Sequence, residues 1–194
     1  VLNLPAMTNA YRLIHGEADG FPGIVIDRYA ECLSAEVFSW GMWQRAQEVV
    51  SQLAEKLNVP HWLIRPCPGF ASQEGMTAEE IRSPTCPNYV SIHEGETKYR
   101  VQFDGSHKTG FFCDQRDNRS LLANWSAGKT VLDICCYTGG FSVRAAAEGK
   151  AAEVTGIDID EEPLQIAKKN AHINHAKVRY CQADAFAFMR DMLN

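Results

Sequence analysis

Residues 131–149 read VLDICCYTGGFSVRAAAEG, and the reading of this stretch decides the fold. The apolar run Val131-Leu132-Asp133-Ile134 has the length and composition of a strand in a buried sheet. Thr138-Gly139-Gly140 interrupts it, and a helix-forming run to Gly149 follows. A strand that passes through a glycine turn into a helix presents backbone N–H groups at the helix N-terminus. Glycine permits the sharp turn and lets a ligand approach the main chain.

The neighbouring segments extend the pattern. KTVLDIC, GGFSVRAAAEG, EVTGIDI, EEPLQIAKKNAHIN and KVRYCQA alternate strand and helix, which predicts parallel βαβ units. The strands are nearly continuous apolar runs, so both faces are expected to be buried. DQRDNRSLLANW, just upstream, reads as a helix with Asp114 at or near its N-cap. Earlier in the chain the organisation differs. AYRLIHG, GIVIDRY and CLSAEVFSW are short strand-like segments punctuated by Asp19-Gly20 and Pro22-Gly23. Residues 43–57 have helical spacing, HWLIR reads as a strand, and four prolines between 66 and 88 mark a loop. NYVSIHEG and TKYRVQF form a hairpin pair around Glu94-Gly95-Glu96. Residues 1–105 are therefore read as an α+β module, and residues 106–194 as the first part of a doubly wound sheet.

In open α/β sheets ligands sit at the carboxyl ends of the strands. Asp133 ends the first strand of the second half. Asp158 ends the next, 19 residues after Gly139, and Asp184 follows the third. An acid after the second strand commonly holds ribose hydroxyls, which also suits a nicotinamide dinucleotide. However, Cys135 and Tyr137 stand where a dinucleotide fingerprint requires glycines. An acid after the third strand suits the hydrogen-bond-donating amino group of adenine. Together these features point to S-adenosylmethionine. The plain alternative makes the three acids helix caps and Gly139 a simple turn.

Composition sets the outer bounds. The 194 residues are 45% hydrophobic and 22% charged, with a net charge of −5, which argues against a dedicated nucleic-acid binder. Residues 98–119 are nevertheless locally basic, with five Lys and Arg against three Asp. No apolar run has the length of a membrane span, and the N-terminus lacks the pattern of a signal peptide. It begins with Val rather than Met, leaving room for residues upstream. Seven cysteines, at 32, 67, 86, 113, 135, 136 and 181, show no C-x-x-C spacing. They read as free, mostly buried thiols in a reducing cytoplasm, and Cys135 and Cys136 as structural rather than catalytic. His172 and His175 read as a solvated helix end rather than metal ligands, so no metal site is expected.

GEADGFPGIVIDRY, HKTGFFCDQRDNR, VLDICCYTGGFSVRAAAEG, GIDID and the paired asparagines beyond it occur in an order that resembles the RlmI family. These are class I S-adenosylmethionine-dependent methyltransferases of cytosine C5 in 23S ribosomal RNA. The resemblance runs from about residue 10 to the end of the sequence. It implies an α/β fold: the first half of a Rossmann-like methyltransferase sheet, preceded by a small central α+β domain. It implies that Tyr137, Thr138, Gly139 and Phe141 form the first cofactor motif, that Asp158 binds ribose, and that Asp184 lies near adenine. Lys108, Thr109, Gly110, Phe111, Asp114, Arg116 and Arg119 match the lead-in motif that flanks the cofactor. The plain reading of that motif is a charged helix start in which the arginines pair with Asp114 and Asp117.

The sequence departs from the family pattern in two ways. An N-terminal RNA-binding PUA domain does not precede the central domain. The Asp-Pro-Pro motif and the Ser-Cys-Ser motif carrying the nucleophile do not occur, so no catalytic residue is assigned. Cytosine C5 chemistry requires a thiolate to attack carbon 6, so this chain alone is expected to transfer no methyl group. Ribosomal RNA is the partner that the resemblance implies, with no membrane association. The rival readings are a non-catalytic module that dimerises or binds a partner through the edge of TVLDI, and a methyltransferase of a small molecule.

Overall fold

The computed structural model describes residues 4–75, 77–104 and 109–192. They pack as two units: Val1–Ile92 with Val101–Cys113, and His93–Arg100 with Asp114–Asn194.

In the first unit β1 (Ala10–His15), β2 (Ile24–Tyr29) and β3 (Cys32–Val37) form an antiparallel meander. Helix α1 (Trp40–Lys56) then crosses over to β4 (His61–Pro66), which lies parallel to β3. A single turn, α2 (Phe70–Gln73), precedes the short edge strand β5 (Ile81–Arg82), antiparallel to β4. Helix α1 begins three residues before the predicted start, because Ser39 caps it by accepting a hydrogen bond from the Met42 N–H at 3.4 Å. Its buried positions Ala46, Val50 and Ala54 recur every fourth residue and face Ile24, Ile26, Leu33 and Ile64 in one core. Each fully buried Ile or Leu there contributes about 1.5–3 kcal/mol. Two cysteines with no distinguishing sequence context meet in this unit: Cys32 Sγ lies 3.9 Å from Cys86 Sγ.

The strands β6 (Tyr89–Glu94) and β7 (Thr97–Gln102) form the expected hairpin, whose tip belongs to the second unit. Its turn comprises only Gly95 and Glu96; Glu94 is the last residue of β6 and is fully buried.

The rest of the second unit is α3 (Arg116–Ser126), β8 (Thr130–Ile134), α4 (Gly140–Ala147), β9 (Glu153–Asp158), α5 (Glu161–Ile173), β10 (Arg179–Gln182) and α6 (Ala185–Asp191). The strands are all parallel, in the order β10-β9-β8, with a helix following each. This is the doubly wound α/β arrangement that the alternating segments predicted.

Three local expectations are corrected. Asp114 does not cap α3; it sits in a preceding 3₁₀ turn and accepts a hydrogen bond from Gln115 Nε2 at 2.8 Å. Strand β8 is not buried on both faces: Leu132 and Ile134 are 37% and 38% exposed, because β8 is the sheet's edge and one of its faces is uncovered among the described residues. A further helix, α6, follows β10, started by Asp184, whose Oδ1 accepts from the Ala187 N–H at 2.8 Å. Among the described residues no helix is long and apolar enough to cross a membrane.

Candidate functional site

The turn after β8 is built from left-handed residues. Cys135, Tyr137 and Gly139 have φ of 59°, 49° and 77°. Two of these are not glycine, so the surroundings must hold the backbone in place. The Cys136 N–H donates to Ile157 O at 2.9 Å, and the Gly139 N–H to Cys136 O at 2.8 Å. The Tyr137 N–H donates to Asp158 Oδ2 at 2.7 Å, and the Ser142 N–H to Asp133 Oδ2 at 2.9 Å. Tyr99 Oη donates to Gly140 O at 3.0 Å and Asn170 Nδ2 to Thr138 O at 2.9 Å. The loop is thus tied to β7, β9 and α5 at successive peptides.

Asn170 is a residue the sequence marked only as one of a pair. It is fully buried on α5, and its Oδ1 also accepts the Arg100 N–H of β7 at 2.7 Å. One turn later Asn174 repeats the device: its Oδ1 accepts from the Lys98 N–H at 2.9 Å and its Nδ2 donates to Lys98 O at 2.6 Å. The signal in the sequence was an asparagine pair four apart on a helix, where one face is shared.

The three acids share the carboxyl edge of the sheet, because they stand at or just beyond the ends of three adjacent parallel strands. Asp158 is half-buried and takes backbone N–H groups on both oxygens, Tyr137 on Oδ2 and Asp160 on Oδ1 at 3.1 Å. Asp184 is exposed and caps α6. Burial pushes the Asp133 carboxyl up to about 6, against the Ser142 bond that favours its charged form; the nearby Asp158 charge adds to the rise.

A carboxyl raised in this way makes the folded state bind its proton more tightly than the unfolded chain, whose Asp titrates near ~3.9. Its stabilising contribution is full below the unfolded value and is lost as pH rises through about 6. Asp133→Asn, which stays neutral and can still accept from Ser142, should flatten the stability profile over this window. Urea midpoints measured across it, with the same slope in both proteins, would contradict this.

Not every expected site residue joins the loop. Asp133, Tyr137, Thr138, Gly139, Phe141 and Asp158 gather in the second unit around the β8–α4 turn. Arg119 reaches them only through Phe141, whose ring centre lies 5.7 Å from its guanidinium. Its charge is spent on Glu94, at 2.6 and 2.8 Å, and it pairs with neither Asp114 nor Asp117. Arg116 pairs with Asp117 at 3.1 Å. Thr109, Gly110 and Phe111 belong to the first unit. There Thr109 Oγ1 donates to Asp27, Ser34 Oγ donates to Thr109 O at 2.6 Å, and Tyr29 Oη donates to Phe111 O at 2.7 Å. Lys108 lies outside the described residues.

The two adjacent cysteines separate. Cys136 is buried, and burial beside Asp133 and Asp158 pushes its thiol upward, away from a reactive thiolate. Cys135 is exposed, against the expectation of burial, because its left-handed backbone turns the chain off the end of β8.

Residues 131–191 match a family model described as a methyltransferase domain. Ribosomal RNA large subunit methyltransferase I of Shewanella denitrificans is 39% identical over 191 residues, 93% of this chain and 46% of that protein. The protein of the same description from Tolumonas auensis is 36% identical over 196 residues, 94% and 47% of the two chains. The chain is a homologue of this methyltransferase family. It spans about half the length of the curated relatives it matches. A Streptococcus mutans structure provisionally assigned as a SAM-dependent methyltransferase superposes with a TM-score of 0.82 at 26% identity, covering 96% of this chain and 49% of that one. A second structure, at 0.81 and 26%, covering 96% and 48%, is of a provisionally assigned methyltransferase complexed with S-adenosylhomocysteine.

Proposed function

We propose that the turn between β8 and α4 binds S-adenosylmethionine, and that the protein methylates carbon 5 of a cytosine in 23S ribosomal RNA in the cytoplasm. The observation that carries the cofactor reading is the shared carboxyl edge of β8, β9 and β10, where the left-handed turn and the three acids meet. The donor set fits an adenosine derivative. A carboxylate offers about four acceptor positions, so Asp158 retains capacity for ribose hydroxyls while it holds Tyr137 and Asp160. Asp184 accepts from the adenine amino group, and Tyr137, Thr138, Gly139 and Phe141 line the approach. Asp133 acts at one remove, fixing the start of α4 through Ser142. The bound cofactor supplies an electrophilic methyl group on a sulfonium.

The RNA part of the reading rests on what the relatives are named for, and the cytosine part on the motifs of the resemblance. Residues 1–105 then serve as the central domain and 106–194 as the cofactor-binding part of the methyltransferase domain. Lys108, Thr109, Gly110, Phe111, Asp114, Arg116 and Arg119 serve as the lead-in segment, and Arg119 acts as a positioning residue through Phe141. A second reading has one observation in its favour: the exposed Leu132 and Ile134 on edge strand β8 suit pairing with a second copy.

Calorimetric titration of the chain with S-adenosylmethionine and, separately, NAD tests the first reading. Saturable heat is expected for the former only. Asp158→Ala removes a charged acceptor worth about 1.5–3 kcal/mol and should weaken binding at least about tenfold. A folded chain that takes up no S-adenosylmethionine would sink the proposal.

A further inference from the structure

Between β7 and α5 lies a cavity of about 360 Å³ lined by Arg100, Gln165, Lys168, Lys169, His172 and Ile173. The sequence of α5 explains its chemistry. Gln165, Lys168, Lys169 and His172 recur at helical spacing and share the outer face. Leu164, Ala167, Asn170 and Ala171 fill the opposite face and are buried. Arg100 stands on the other wall, and its position is fixed because Asn170 Oδ1 holds its backbone N–H at 2.7 Å.

The cavity's lining includes no carboxylate. Glu161 and Glu162 lie in the first turn of α5, one to two turns away from the lysines, and Glu161 Oε1 accepts from Gln165 Nε2 at 3.3 Å. Among the described residues neither Lys168 nor Lys169 pairs with an acid. Adjacent like charges in a protein of net charge −5 are unfavourable to each other, and an anion seated between them removes that cost. The cavity combines these cations with Ile173, an apolar side chain that is 43% exposed at the same wall. A nucleic acid backbone presents that combination: phosphates in series with sugar and base faces between them.

We propose that the β7–α5 groove holds the phosphodiester backbone of RNA, with Lys168, Lys169 and Arg100 meeting phosphates. This deepens the reading above and rests on RNA being the substrate class. It also places the RNA seat one side chain from the cofactor turn, since Asn170 bonds both Arg100 and Thr138.

The test is fluorescence anisotropy of labelled single-stranded oligocytidine RNA titrated with the full chain at several KCl concentrations. Lys168→Glu with Lys169→Glu is compared with Arg45→Glu with Lys56→Glu, an equal charge change on exposed positions of α1. Each phosphate contact on a single strand contributes about 0.7 to the slope of log affinity against log salt, so the α5 pair should lower that slope by about 1.4. Affinity at low salt should fall about tenfold or more, whereas the α1 pair stays close to wild type. Equal behaviour of the two variants would overturn the proposal, as would displacement of the RNA by polyglutamate as readily as by unlabelled RNA. S-adenosylmethionine heats on the same proteins keep the two readings apart. A chain that binds the cofactor but no RNA refutes the groove alone; one that binds RNA through α5 without the cofactor refutes only the cofactor site.

Discussion

Replacing Glu94 with alanine is expected to destabilise the second unit by about 3–5 kcal/mol, the usual cost of removing one partner from a buried ion pair. Glu94 is fully buried and Arg119 is 2% exposed. Arg119 forks both carboxylate oxygens, at 2.6 and 2.8 Å, and Arg144 Nη1 approaches Oε2 at 3.5 Å. Arg144 in turn holds Glu148 at 3.1 Å, and Glu148 accepts the Thr97 N–H at 3.0 Å. The network balances two cations against two anions. Without Glu94 two buried guanidinium groups share one carboxylate, and neither can lose its charge. Hydrogen exchange of β8, β9 and β10 would report the loss, with Glu96→Ala, an exposed neighbour in the turn, as a control near zero. Equal protection in the two variants would mean that the network contributes little. Loss of Arg119's anchor should also release Phe141, so cofactor affinity is expected to fall with stability.

Gly139→Ala should cost about 2–4 kcal/mol, combining left-handed strain with overpacking. At φ +77° an added Cβ would stand 2.5 Å from Tyr180 Oη and 3.0 Å from Ala167 Cβ. The tyrosine cannot easily withdraw, because its ring already lies against Gly156 and its hydroxyl is 3.1 Å from Ser142 Oγ. Tyr180→Phe removes the oxygen that clashes, so the double variant should recover part of the loss. A urea double-mutant cycle measures that coupling. Strict additivity would show that strain in the turn, not the contact with β10, sets the requirement for glycine here. The two glycines are thus explained by different needs: Gly139 by backbone conformation together with close packing, Gly156 by the tyrosine ring alone.

Much of this protein was legible in its sequence. The alternation of β8, α4, β9, α5 and β10 follows from apolar period and glycine punctuation, which act over a few residues. The same local logic put Asp133, Asp158 and Asp184 at strand ends, and parallel strands necessarily bring such ends to one edge. What local spacing could not supply was the partner of each charged or polar group. Arg119 and Glu94 are 25 positions apart, Asn170 and Arg100 are 70, and Cys32 and Cys86 are 54. A motif read along the chain pairs an arginine with the nearest aspartate. The folded chain pairs it with the acid that is buried beside it, because a desolvated charge must be compensated wherever the tertiary packing places it. Exposure of Leu132 and Ile134 was hidden for a similar reason: an apolar strand has the same sequence at a sheet's centre and at its edge, and only the arrangement of neighbouring strands and helices distinguishes them.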